Sequence, residues 1–412
     1  MELGNQLYGF IGDNLATKYF MAGGVDSNWA SATNWSTVSS AGPNDTTKAT
    51  ASDDAIFDAG SPACTVNAAE GARTLTSTNY ASTMTIDATR VLTLQNFTST
   101  LGGTIAGTGT IKTQTGTVLN GTATSASTVT LDVTTGAVTL KTGANCIWGN
   151  ISQSTGVITL TGNIYTKDAT ISTLWGTYRL YVQRNLSGSS LSGTSGTPVI
   201  VMNGTGTFGA SGGMNIGINV EIDTAGTCTF GADVRFGSSN KIFKYITGTV
   251  DSSAGVVGCF AAFTFNTSGM TFHNMTVTSA SLVVQSELKV TTFTANASVV
   301  MSGAYPLTFG TCIIPAGKGL TMVTGTAMTV GALYMTGNDA INSSLTTASG
   351  TVNVTYTGAE DGYRIMWGIL TRVVFIGRKL YNWWGTNTTV TNCTANTTYQ
   401  DTRLVMPQLV GV

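Results

Sequence analysis

Charge is what this chain has least of. Its 412 residues include 19 Lys+Arg and 20 Asp+Glu, a 9% share, where globular domains usually draw about a quarter. Solubility therefore has to come from hydroxyls, amides and glycine. The net charge is −1 and no run of Lys and Arg lines up on a face, which excludes the phosphate-neutralising surface that nucleic-acid binding needs. There is one histidine, His273, without Gly-x-Ser-x-Gly or H-E-x-x-H around it. It reads as a structural or surface residue.

Other absences narrow the class further. The six cysteines contain no C-x-x-C pair, so neither a zinc site nor a disulfide framework is signalled. Five of them (Cys64, Cys146, Cys228, Cys312, Cys393) fall about 82 residues apart. Their flanking sequences share little, so the spacing reads as coincidence and the thiols as small apolar core groups. No window of a dozen residues carries the i, i+3, i+4, i+7 pattern of an amphipathic helix; one or two helical turns fit only Gly9 to Tyr19. The most apolar late segment, Ile365 to Gly377, is broken by Arg372 and is too short to span a bilayer. Glu2 and Asp13 interrupt what would have to be a secretion signal in Met1 to Phe20. The expectation is a chain made in the cytosol, without membrane insertion.

What is present is Thr, Ser, Gly and Asn set between single Val, Ile and Leu residues. Period-two alternation is plain in Val91 to Leu94, Val129 to Val133, Val157 to Leu160, Leu180 to Val182 and Leu282 to Val290. Phrases such as TIAGTGTI (104–111), VMNGTGTF (201–208) and TFHNMTV (271–277) each read as a strand and a corner. The pattern predicts an all-β fold, a right-handed parallel β-helix or β-solenoid, with coils of about 20 to 25 residues. Residues 71–358 would then make about a dozen coils, each stabilised by its neighbours. Gly107-Thr108-Gly109 precedes no helix, so it is a corner and not a phosphate loop.

The ends differ from this body. Residues 1–20 read as an N-terminal docking peptide, 21–70 as an entry and capping module, and 359–412 as a C-terminal cap or oligomerisation segment. In the entry module, Asn28-Trp29, Asn34-Trp35-Ser36, a loop at Pro43, Asp53-Asp54-Ala55-Ile56-Phe57-Asp58 and Cys64-Thr65-Val66-Asn67 follow in order. This order resembles the entry module of large bacterial surface proteins and phage virion proteins. There it leads into right-handed β-helical repeats. The resemblance covers roughly residues 21–100, and the absence of a secretion signal and the modest length turn it toward phage virion proteins.

That resemblance implies a non-enzymatic virion structural protein, a tail fibre, tailspike or other appendage for host attachment, assembled in the host cytoplasm and located in the virion. Its partners would be other virion proteins, through residues 1–20, further copies of itself as a homotrimer, and a host-surface glycan. A capsid decoration protein or a bacterial β-solenoid adhesin are the alternatives, with a polysaccharide-degrading β-helix enzyme more remote.

Aromatic residues are the candidates for binding or subunit contact. Trp148 and the cluster Trp175, Tyr178, Arg179, Tyr181 and Arg184 interleave rings with cationic groups; Trp367, Trp383 and Trp384 enrich the C-terminal segment. For hydrolytic chemistry, Glu221 and Asp223, joined by Asp233 or Asp251, would have to converge from neighbouring coils. Asp53, Asp54 and Asp58 lack the spacing of a calcium loop and read as turn caps. No catalytic residue, metal or cofactor is assigned.

Overall fold

The computed structural model describes residues 15–336, apart from 125–127, 134–135, 144, 154, 194–195, 210–212, 232 and 324–325, and beyond 336 the backbone of strands between Ser343 and Asn396. Among the described residues the structure is almost entirely parallel β, with no α-helix and a single short 3-10 turn at Ala32–Asn34. It is a β-solenoid, built as stacked coils. The chain divides into two compact units, Met1–Tyr181 and Val182–Val412.

In the first unit a coil is a sequence of short strands and tight corners. Thr98–Leu101, Thr104–Gly107 and Thr110–Thr113 make one coil. Each lies parallel to its counterpart in the coil before, Thr74–Thr76, Thr83–Ile86 and Val91–Leu94. Val91 stands opposite Thr110, Thr110 opposite Thr130, and Thr130 opposite Asn150. These steps of 19, 20 and 20 residues sit at or just below the expected coil length.

Alternation explains the layering. Along Val91–Leu94 and Thr110–Thr113 every second residue is buried, so Leu92, Ile111, Leu131 and Ile151 stack as one inward ladder, while Val91, Thr93, Thr110 and Lys112 take the outward positions. Each buried Leu or Ile contributes about 1.5–3 kcal/mol, and the backbone is bonded to the coils on either side. Corners need special backbone: Gly107 has φ +94°, and a Cβ there would run into the Ile86 carbonyl of the preceding coil.

The second unit uses longer strands. Thr271–Val277, Leu288–Ala295, Leu307–Pro315 and Ala327–Thr336 pair in parallel order, and Ser281–Val284, Ser298–Ser302 and Gly319–Met322 form the opposing ladder. Inward columns run Met275, Phe293, Cys312, Leu333 and Phe272, Val290, Phe309, Val330. Phe293 and Phe309 stack at 4.5 Å with rings 9° apart. The expected strand Leu282 to Val290 is in fact two, Ser281–Val284 and Leu288–Ala295; Gln285 to Glu287 form the corner, which the sequence hid because Leu282, Val284, Leu288 and Val290 stay in phase with period two across it.

Two expected boundaries fall inside continuous pairing. Thr17–Phe20 is a strand, parallel to Asp54–Ile56 and antiparallel to Trp35–Ser36, so these four residues belong to the first coil. This replaces the helical turn expected at Thr17 to Tyr19. At the other end the parallel ladders cross residue 358: Leu345 pairs with Leu370, Val354 with Phe375, and Phe375 with Ala395. Met1 to Asn14 lie outside the described residues.

An aromatic cluster is packed into the first described coil. Phe20, Trp29, Trp35 and Phe57 are buried with ring centroids 4.8–5.8 Å apart, and Tyr80 joins them at 5.2 Å from Phe57. The Trp35 indole N–H donates to the Trp29 carbonyl (2.9 Å) and that of Trp29 to the Ala49 carbonyl (3.3 Å). Asp26 holds the Trp-bearing loop by accepting from the Asn28 backbone N–H (2.9 Å), the Asn34 amide (2.6 Å) and the Ser31 hydroxyl (2.9 Å). Those bonds, led by the Asn28 N–H, lower its pKa to about 2.

Candidate functional site

The aromatic candidates separate once inward and outward faces are known. Trp148 is fully buried and its indole N–H donates to the Thr142 hydroxyl (3.3 Å); it is a core residue, which removes it from the binding set. In its strand Ile147–Ser152 the alternation buries Trp148 and leaves Ile147 half-buried, a choice two adjacent apolar residues do not reveal. Trp175 is half-buried, with its indole nitrogen enclosed and without a hydrogen-bond partner. Tyr178 is 44% exposed. Tyr181 stacks on Tyr165 of the preceding coil at 4.5 Å with rings 4° apart, an outward tyrosine ladder that the sequence reading missed because Tyr165 lies sixteen residues away. Arg179 is half-buried in the first unit; Arg184 is exposed in the second. Trp367 lies outside the described residues, as do the side chains of Trp383 and Trp384.

The acidic candidates are spread along the strands. Glu221 stands opposite Lys244, and Asp223 opposite Thr247. Asp251 stands opposite Thr229, beyond the register shift that follows Asp223 and not beside it. It accepts from the Ser253 hydroxyl (2.6 Å) and backbone N–H (3.0 Å), which lower its pKa. Asp233 accepts from the Val256 N–H (3.1 Å) and lies 3.9 Å from Arg235. Asp53 accepts from Thr50, Asp54 from Arg73 and Thr74, and Asp58 from Gly60, which makes all three turn or ladder anchors. Among the described residues no three His, Cys, Asp or Glu side chains come together as metal ligands. Cys64, Cys146, Cys228, Cys259 and Cys312 are buried and form no disulfide. Burial pushes the Cys228 thiol up to about 12 and those of Cys64, Cys259 and Cys312 upward as well.

A groove of about 480 Å³ in the second unit was not anticipated; it is lined from the strands Ser190–Ser192 and Met214–Gly217, from Gly237 and Ser238 just after the strand Val234–Phe236, and from Phe260 just after the strand Val257–Cys259. Ser190, Ser192, Asn215, Ser238 and Phe260 line it together with Leu191 and Ile216, and Gly193, Gly217 and Gly237 complete the lining. Phe260 is 51% exposed. It occupies that position because Gly258 has no side chain: a Cβ there would stand 2.6 Å from the ring. Arg235, opposite Gly258 in the ladder, places its guanidinium 5.7 Å from the ring centroid.

Comparison with protein-family models, curated proteins and solved structures returned no match. The fold itself therefore defines the class, a β-solenoid with a tryptophan-rich first coil.

Proposed function

We propose that this chain is a non-enzymatic structural protein of a phage virion, a tail fibre, spike or similar appendage that contacts the host surface. The observation that carries the reading is the entry module. Trp29, Trp35 and Phe57 pack together, and the strand Asp54–Ile56 carries a parallel ladder from Thr17–Phe20 into Thr74–Thr76, which supports reading this segment as a module that leads into the coils. The coils are taken to wind right-handed, as parallel crossovers do. Outward hydroxyls with little net charge suit a protease-resistant shaft, and half-buried Trp175 with its unpartnered indole N–H suits a subunit interface in a homotrimer. Residues 1–20, which end in the paired strand Thr17–Phe20, are the segment proposed to dock on the particle.

Gold-labelled antibody and peptide mass spectrometry of purified particles test the reading. Label on the particle is expected; label confined to a bacterial envelope would replace it with the adhesin. Light scattering should give about three times the 42.5 kDa chain mass, and a monomer would refute the trimer.

A further inference from the structure

We propose that the groove beside Phe260 is a saccharide site, taking a neutral hexopyranose unit of a longer glycan against the ring. Its volume, about 480 Å³, falls in the range of about 300–1,000 Å³ for small-ligand sites. A sugar presents an apolar C–H face and a rim of hydroxyls, and the groove offers the complement of both. Phe260 supplies an aromatic surface for the C–H face, held in place by the missing Cβ of Gly258 and by Arg235. Ser190, Ser192, Ser238 and the Asn215 amide supply short donors and acceptors for the rim.

Charge selects among sugars. Asp233 lies 3.9 Å from Arg235 and offsets its charge, while the Lys241 ammonium donates to the Gly193 carbonyl (3.2 Å). The cation beside the ring is therefore already paired with a carboxylate, which favours a neutral unit over a uronic acid against Phe260. The groove is open to solvent along a ladder face, which lets a polysaccharide continue beyond the bound unit.

The inference deepens the host-contact reading above, yet the two can fail separately, because binding is measured on the isolated full-length protein and attachment on particles. Saturation-transfer NMR with the methyl glycosides of glucose, galactose, mannose and glucuronic acid, each at about 10 mM, reaches affinities in the millimolar range. Transfer to the C–H protons of at least one neutral glycoside is expected. Phe260→Ala should weaken it at least tenfold, and Phe260→Tyr should retain it. Phe97→Ala is the matched control, since Phe97 is 43% exposed beneath Arg73 in the first unit; it should bind as wild type. The proposal is overturned by absence of transfer from every neutral glycoside, by transfer from the glucuronide alone, or by equal transfer in Phe260→Ala. Equal losses in Phe260→Ala and Phe97→Ala would show generic ring contact and overturn it too.

Discussion

Replacing Trp35 with alanine should loosen the first coils and leave the later ones intact. Trp35 is fully buried, with Trp29, Phe20 and Phe57 around it at 4.8, 5.2 and 5.8 Å. Truncating such a ring to alanine costs about 3–5 kcal/mol. Loss of its indole N–H leaves the Trp29 carbonyl without that donor, adding about 1 kcal/mol. Stacked coils contact mainly their nearest neighbours, so the loss is felt where it occurs and decays along the ladder. Native-state hydrogen exchange resolves this by segment. A change of about 4 kcal/mol corresponds to roughly a thousandfold faster exchange, expected in Thr17–Phe20 and Asp54–Ile56. Peptides covering Leu288–Ala295 and Leu307–Pro315 should be unaffected. Acceleration of equal size in both regions would refute nearest-neighbour stability, and acceleration below about tenfold at Thr17–Phe20 would refute the aromatic cluster as the anchor of the first coil.

Two further outcomes follow from buried polar and thiol groups. The Lys18 side chain is buried and bonded to Asp45 and Thr47, so Asp45→Asn should destabilise the first coil by about 3 kcal/mol through the stranded ammonium, read as a lowered urea midpoint. The Lys18 hydrogen bond holds the Asp45 carboxyl below its ordinary value. This stability is therefore fully present above the unfolded carboxylate pKa of about 3.9 and is lost as pH falls through the lower folded value; the midpoint of wild type should fall more steeply than that of Asp45→Asn below about pH 4. Iodoacetamide at about pH 8 should leave Cys64, Cys146, Cys228, Cys259 and Cys312 unmodified in the native protein, and peptide mapping that finds rapid native labelling at any of them would contradict its placement in the core.

The sequence carried the architecture because period two is written residue by residue. Val91–Leu94 appears as a strand at its expected limits, and Thr271–Val277 is strand throughout, without the corner expected in it. The buried cysteines were equally legible, and their regular spacing proved empty of meaning: Cys64, Cys228 and Cys312 lie in three different ladders. Legibility failed where adjacent residues are both apolar. Ile147 and Trp148, or Phe260 within VVGCFAAF, give no hint of which side chain turns outward.

The sequence by itself determined that the chain is a β-solenoid with little charge and a tryptophan-rich start, since alternation and composition are local properties. Register was decided only in three dimensions. The step between coils changes, from 18 residues between Met275 and Phe293 to 23 between Arg235 and Gly258 and 25 between Leu320 and Leu345. A one-residue error turns a ladder inside out. That is why Trp148 went to the core, why Asp251 stands opposite Thr229 instead of beside Glu221, and why Phe260, just past the end of its strand, came to rest against Gly258 beside an arginine from the coil before.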